Sequence, residues 1–261
     1  MKFLYASLAL ASLVLPASVT RAEVKTREVE YTQGDTPLKG YLAWDDAAKG
    51  KRPGVLVVHE WWGHNAHARR QAERLAKAGY VGFALDMYGK GKVTTHPDEA
   101  QAFAAEATKD PAVMVARFQA ARAQLVQDLR VDSTRIAAIG YCFGGAVVLN
   151  MARSGADLKA VGTFHGALAT AHPAEKGKVR ARILVMTGAA DSFVPPDQVA
   201  AFEKEMKDAG ARFEVIRYPG AKHGFTNRDA GTYGMDALAY NADADTKSWA
   251  ALLKMFKQTL R

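Results

Sequence analysis

Short apolar runs alternate with amphipathic stretches along most of this chain. Residues 55–60, 80–86, 135–139, 158–164, 182–187 and 212–218 are apolar runs bounded by Gly, Pro or polar residues, and each has the length of a buried strand. Between them the period changes. Over residues 65–78, Ala68, Ala72, Leu75 and Ala76 share one face while Arg69, Arg70, Glu73 and Lys77 face away, and Gly79 ends the pattern. Residues 97–109 and 111–130 each open with Pro near a first helical turn and are rich in Ala, which predicts a two-helix insertion between strands. Further helices are expected over 146–152, over 195–209 with Gly210 as the stop, and over 246–259, where Trp249, Leu252, Leu253 and Phe256 share a face. Near the start, extended segments 29–32 and 38–44 flank a Gly34-Asp35 turn, the signature of a β-hairpin at a sheet edge. Alternation of strand and helix from Val55 onward predicts an α/β fold, a mostly parallel sheet with helices on both faces. No repeat, linker or low-complexity segment interrupts it.

The first 22 residues break this pattern. Lys2 is followed by an apolar run over residues 3–15, then Pro16, small residues, and Ala22 before Glu23. That run is short for a bilayer span and the pattern is that of a signal peptide, so the expectation is a leader over residues 1–22 and one domain over 23–261 in a periplasmic or secreted protein. Lys2 and Arg21 would leave with the leader, taking the formal charge from +8 to +6. The remaining charge is spread along the chain without a basic block, and no nucleic-acid motif is present, so neither a nucleic-acid partner nor a membrane partner after leader cleavage is expected. Composition is otherwise globular, with 49% hydrophobic and 24% charged residues. Cys142 is the single cysteine, which excludes an internal disulfide. In an oxidising compartment a retained thiol is either deeply buried or used.

Its surroundings favour use. Gly140-Tyr141-Cys142-Phe143-Gly144-Gly145 joins a predicted strand to a predicted helix, and Gly-x-nucleophile-x-Gly in that setting is the nucleophile elbow of α/β-hydrolases. The turn is tight, so Gly140 and Gly144 must be small. In parallel sheets the chemistry sits at the carboxyl ends of strands. Glu60, Tyr88, Cys142, Asp191 and His223 all fall there, three of them in the chain order nucleophile, acid, histidine. A thiol is mostly protonated at neutral pH and needs a base, which His223 supplies, while Asp191 would hold the imidazole tautomer. The backbone N–H groups of Trp61 and Phe143 are the expected oxyanion donors. Taken singly, Asp191 could equally cap a turn and His223 could be a surface residue. His59 and His64 are five apart, one too many to share a helix face, so no zinc site is expected. His67, His96 and His172 are expected at the surface, Met87, Met151 and Met186 in the core, and His165 at the pocket.

These residues resemble the dienelactone hydrolase family, the carboxymethylenebutenolidases. The resemblance rests on Val58-His59-Glu60-Trp61-Trp62-Gly63, Arg74-Leu75-Ala76-x-x-Gly79-Tyr80, Asp86-Met87-Tyr88, the Gly140–Gly145 run, Gly188-x-x-Asp191-x-x-Val194-Pro195 and His223-Gly224-Phe225. It implies a Cys142–Asp191–His223 triad, a part for Glu60 in activating the thiol, and hydrolysis of an enol lactone or small ester through a thioester, with no cofactor. Founding members hold the substrate carboxylate with two arginines. Lys90 and Asn227 occupy those places here, with Arg228 next to the second. The expectation is therefore a pocket with a positive mouth formed by Lys90 and Arg228 and with apolar walls from Trp61, Trp62, Tyr88 and Phe143. It would take a small ester or lactone near a carboxylate. A non-catalytic binding protein on the same fold is the alternative, against which the complete triad argues.

Overall fold

The computed structural model describes residues 23–261, so the expected leader lies outside the described residues. The hairpin runs as Val24–Gln33 (β1) and Thr36–Asp45 (β2), paired antiparallel about Gly34, whose φ is +54°. Both strands exceed the lengths expected. β1 is a solvent-facing edge strand, and its polar side chains carry no apolar signal. Six further strands follow: Arg52–Val58 (β3), Val81–Leu85 (β4), Val131–Tyr141 (β5), Ala160–Phe164 (β6), Arg182–Gly188 (β7) and Phe213–Tyr218 (β8). The sheet order is β1-β2-β4-β3-β5-β6-β7-β8, with β3 to β8 all parallel. β5 begins four residues before the predicted run. Its polar start, Asp132-Ser133-Thr134, is absorbed by a register shift against β3 between Pro53 and Gly54.

Helices cover both faces, as the alternation requires. Ala66–Lys77 (α1) and Ala242–Thr259 (α6) lie on one, and Pro111–Gln127 (α3), Phe143–Arg153 (α4) and Pro196–Asp208 (α5) on the other. Pro97–Thr108 (α2) packs against α3. The pleat splits each central strand between the two cores: in β3, Val55 and Val57 face α1 and α6, while Leu56 and Val58 face the other layer.

Three readings of the sequence are corrected here. His67 is fully buried, because the inward stripe of α1 starts with it, and its ring packs edge-on against Tyr141 at 5.0 Å. The closing helix begins at Ala242, capped by the Asn241 side chain on the N–H of Ala244. Its buried stripe is Ala244, Ser248, Leu252, Met255 and Phe256; Trp249 and Leu253 are partly buried and pack against the same core, as expected, with the Arg74 guanidinium over the Trp249 ring at 4.2 Å. α4 starts at Phe143, directly from Cys142, so the two glycines that weaken helix propensity stand inside its first turn.

Candidate active site

β5 runs through Gly140-Tyr141 and stops at Cys142, whose φ of +52° and ψ of −115° are sparsely populated for any residue with a side chain. The strain is held in place from both sides. Cys142 N donates to Phe164 O at the end of β6 (3.1 Å), and Gly144 N donates to His59 O beyond β3 (3.1 Å). A Cβ on Gly140 would strike the Gly144 carbonyl, and one on Gly144 would strike the carbonyls of Val58 and His59. The glycines therefore let the turn close, and the closed turn lifts the Cys142 side chain off the sheet.

Asp191 follows β7 and His223 follows β8, and the bond from Ala190 N to Ala221 O (3.0 Å) ties the two loops together. His223 Nδ1 meets Asp191 Oδ2 at 2.9 Å, and Asp191 Oδ1 accepts from Phe193 N at 2.9 Å. An ionised Asp191 makes Nδ1 the protonated nitrogen and leaves Nε2 as the free one. Burial disfavours a charged His223, while a Cys142 thiolate, once formed, and the Asp191 carboxylate raise it, so the imidazolium is favoured after the thiol proton has passed to Nε2. Cys142 and His223 line one cavity of about 300 Å³. The N–H groups of Trp61 and Phe143 have no hydrogen-bond partner among the described residues, so both are available as donors.

Glu60 is buried, and its Oε2 accepts from Asn227 Nδ2 at 2.6 Å. Burial pushes its carboxyl up to about 7, against the opposing pull of the His223 charge and the Asn227 amide. His59, also buried, has Nδ1 2.5 Å from Glu60 O and Nε2 3.2 Å from Met87 N, so the network assigns the proton to Nδ1. It is a neutral tie between the ends of β3 and β4, and burial keeps it uncharged.

A model of the dienelactone hydrolase family matches residues 38–260. This chain belongs to that family. A solved structure named m3DLH is 38% identical, covering 91% of this chain and 99% of its own, with a TM-score of 0.87. A dienelactone hydrolase-like promiscuous phosphotriesterase from metagenomic libraries is 36% identical at the same coverage, with a TM-score of 0.86. A relative from Synechocystis, named "Putative carboxymethylenebutenolidase", is 27% identical over 257 residues, 92% of this chain and 99% of its own length. Dienelactone hydrolases are ester- and lactone-hydrolysing enzymes of the α/β-hydrolase fold, and this member is one of them.

The family's pocket is where this chain departs from its sequence reading. Trp61 and Phe143 line the cavity, together with Ala104, Phe193, Val194 and Leu238. Trp62, Tyr88, Lys90 and Arg228 do not. Trp62 is buried and stacks on Tyr233 at 4.0 Å. Tyr88 is buried behind Phe143 and His59 and donates its hydroxyl to Trp61 O at 3.2 Å, so it shapes the wall from behind. Lys90 is drawn outward to Glu30 on the edge strand, 2.6 Å away, because its own N–H is pinned to Pro37 O in the hairpin. Arg228 is exposed, its guanidinium 5.9 Å from the Tyr240 ring. Lys90 and Arg228, expected at a positive mouth, are not among the residues that line this cavity. His165 is fully buried behind the catalytic-end loops, not at the cavity: Nε2 meets Thr226 Oγ1 at 2.8 Å and its ring packs edge-on to His223 at 5.0 Å. Ala104, Phe193 and Leu238 line the cavity yet carry no local signal of chemistry in the sequence. For Asn227 the cue was its place four residues after the histidine, where an arginine was expected and a buried amide holds Glu60.

Proposed function

We propose that this dienelactone hydrolase family member cleaves small esters or lactones with Cys142 as nucleophile. The thiol proton passes to His223 Nε2, and the thiolate attacks the carbonyl carbon. The N–H groups of Trp61 and Phe143 receive the developing oxyanion. Collapse of the tetrahedral intermediate breaks the ester C–O bond. The leaving oxygen takes the proton from His223, and the acyl group remains on sulfur as a thioester. Water then attacks, giving its proton to His223, and the second collapse returns that proton to sulfur and releases the acid. Asp191 holds Nδ1–H throughout and stabilises the imidazolium. Glu60, titrating near neutrality, takes part in activating the thiol. The chain supplies every group, and no cofactor takes part.

The observation that carries this reading is the Asp191–His223 bond of 2.9 Å beside a cysteine at a strained elbow, with cysteine and histidine facing one cavity. Iodoacetamide should label Cys142 and abolish hydrolysis of a short aryl ester, and Cys142→Ala should lose at least about a hundredfold in kcat/KM. Full activity in Cys142→Ala ends the reading. Uncharged phosphotriesters are a second substrate class. Their support is the 36% identical neighbour named for that activity and the apolar lining of the cavity.

We also propose export, to the periplasm or beyond. Its support is the charged start, the apolar run and the small residues before Glu23. Mass spectrometry of the protein from its own host should find a chain starting near Glu23, and an intact Met1 would contradict it.

A further inference from the structure

We infer that this enzyme selects uncharged esters and discriminates against substrates that carry a carboxylate near the scissile bond. The inference rests on Cys142 being the nucleophile. Its basis is the wall of the cavity around that cysteine. Ala104 reaches it from α2, Phe193 and Val194 from the loop after β7, and Leu238 from the segment before α6; among the described residues, no lysine or arginine lines it.

Three cations on neighbouring elements are engaged elsewhere. Lys90 pairs with Glu30 at 2.6 Å and Arg70 with Asp229 at 2.7 Å. Lys222, next to the catalytic histidine in sequence, donates to Asp236 O at 2.8 Å. Asn227, four residues after His223, spends its amide on Glu60 at 2.6 Å. Two carboxylates, Glu60 and Asp191, are already buried at the site. A substrate carboxylate entering here would lose its water and meet no lysine or arginine on the wall, and the one titratable base there, His223, is already bound to Asp191 at 2.9 Å. An apolar acyl or aryl group meets only matching walls. At about 300 Å³ the cavity is at the small end of ligand pockets, so the group it accepts is compact.

Phe193 is the rim of this cavity. It is 45% exposed, and its ring packs edge-on to His223 at 5.0 Å. A long cation placed there can lay its stem on the apolar wall and present its charge at the mouth.

A matched pair of substrates tests the inference: 4-nitrophenyl butyrate and 4-nitrophenyl hydrogen succinate, which differ chiefly by a terminal carboxylate. Wild type should favour the butyrate by about a hundredfold in kcat/KM, the scale of discrimination reached when a polar group is buried unpaired. Phe193→Arg should shrink that ratio at least about tenfold by gaining succinate hydrolysis, while Lys90→Ala should leave it unchanged. The wild-type comparison stands even if Phe193→Arg fails to fold. A wild-type preference below about tenfold, or a preference for the succinate, overturns the inference while the cysteine reading survives. Inertness toward both esters, with Cys142 still alkylated, overturns it too. Butyrate hydrolysis that persists in Cys142→Ala overturns the cysteine reading instead.

Discussion

The amide nitrogen of Asn227 donates to a carboxylate oxygen of Glu60 across 2.6 Å, and both side chains are buried. Asn227 also accepts from the N–H of Asp229 at 3.0 Å, so one amide anchors the carboxylate and the loop after His223 together. Asn227→Ala leaves a buried carboxylate with its donor removed. Urea unfolding should show a loss of about 1–3 kcal/mol, larger at pH 8 than at pH 5.5, because only the ionised carboxylate depends strongly on that donor.

Glu60 itself should make stability depend on pH. Burial raises its carboxyl from 4.5 to about 7 in the folded chain. Between those values the unfolded chain has released the proton and the folded chain keeps it, so stability falls as pH rises through this window. Glu60→Gln removes the decline. Relative to wild type, the variant should gain up to about 3 kcal/mol between pH 5 and pH 8 in urea unfolding. An equal gap at both pH values would contradict the assignment.

Asp191→Asn tests the tautomer. The amide can no longer hold the Nδ1 proton as an anion does, and kcat/KM should fall at least about a hundredfold with little change in Tm. Asp191 is among the groups that raise His223, so an NMR titration should find the imidazole titrating lower in the variant.

Gly140→Ala should be severe for a reason unconnected with chemistry. The new Cβ meets the backbone carbonyl of Gly144, which cannot swing aside as a side chain would. A loss of at least about 3 kcal/mol in urea unfolding is expected, in the range of strain and overpacking at fixed backbone.

Lys90→Ala should change kcat/KM on an uncharged aryl ester by less than about twofold. Its ammonium is exposed and paired with Glu30, and such surface pairs contribute at most about 1 kcal/mol to stability.

Much of this protein was legible along the chain. Continuous apolar runs mark strands covered on both faces, and the run before Gly140 together with the glycines after Cys142 marks the elbow, because each of these features is local and dictated by neighbouring residues. The order of Cys142, Asp191 and His223 identifies the set of partners, since parallel strands deliver their carboxyl ends to one edge of the sheet whatever the intervening lengths. What surrounds that set was not legible. Whether Lys90 turns into the pocket or out to Glu30 depends on a hairpin some sixty positions earlier in the chain, with which it pairs at 2.6 Å. Whether Asn227 faces substrate or clasps Glu60 depends on a strand end 167 positions away. Ala104 and Leu238 are unremarkable in sequence and become pocket walls only because α2 and the segment before α6 converge on the elbow. Local sequence determined the fold and which side chains stand at the carboxyl ends of its strands. Tertiary structure decided the charge and shape of the cavity, because both are sums over side chains that meet only once the sheet is complete.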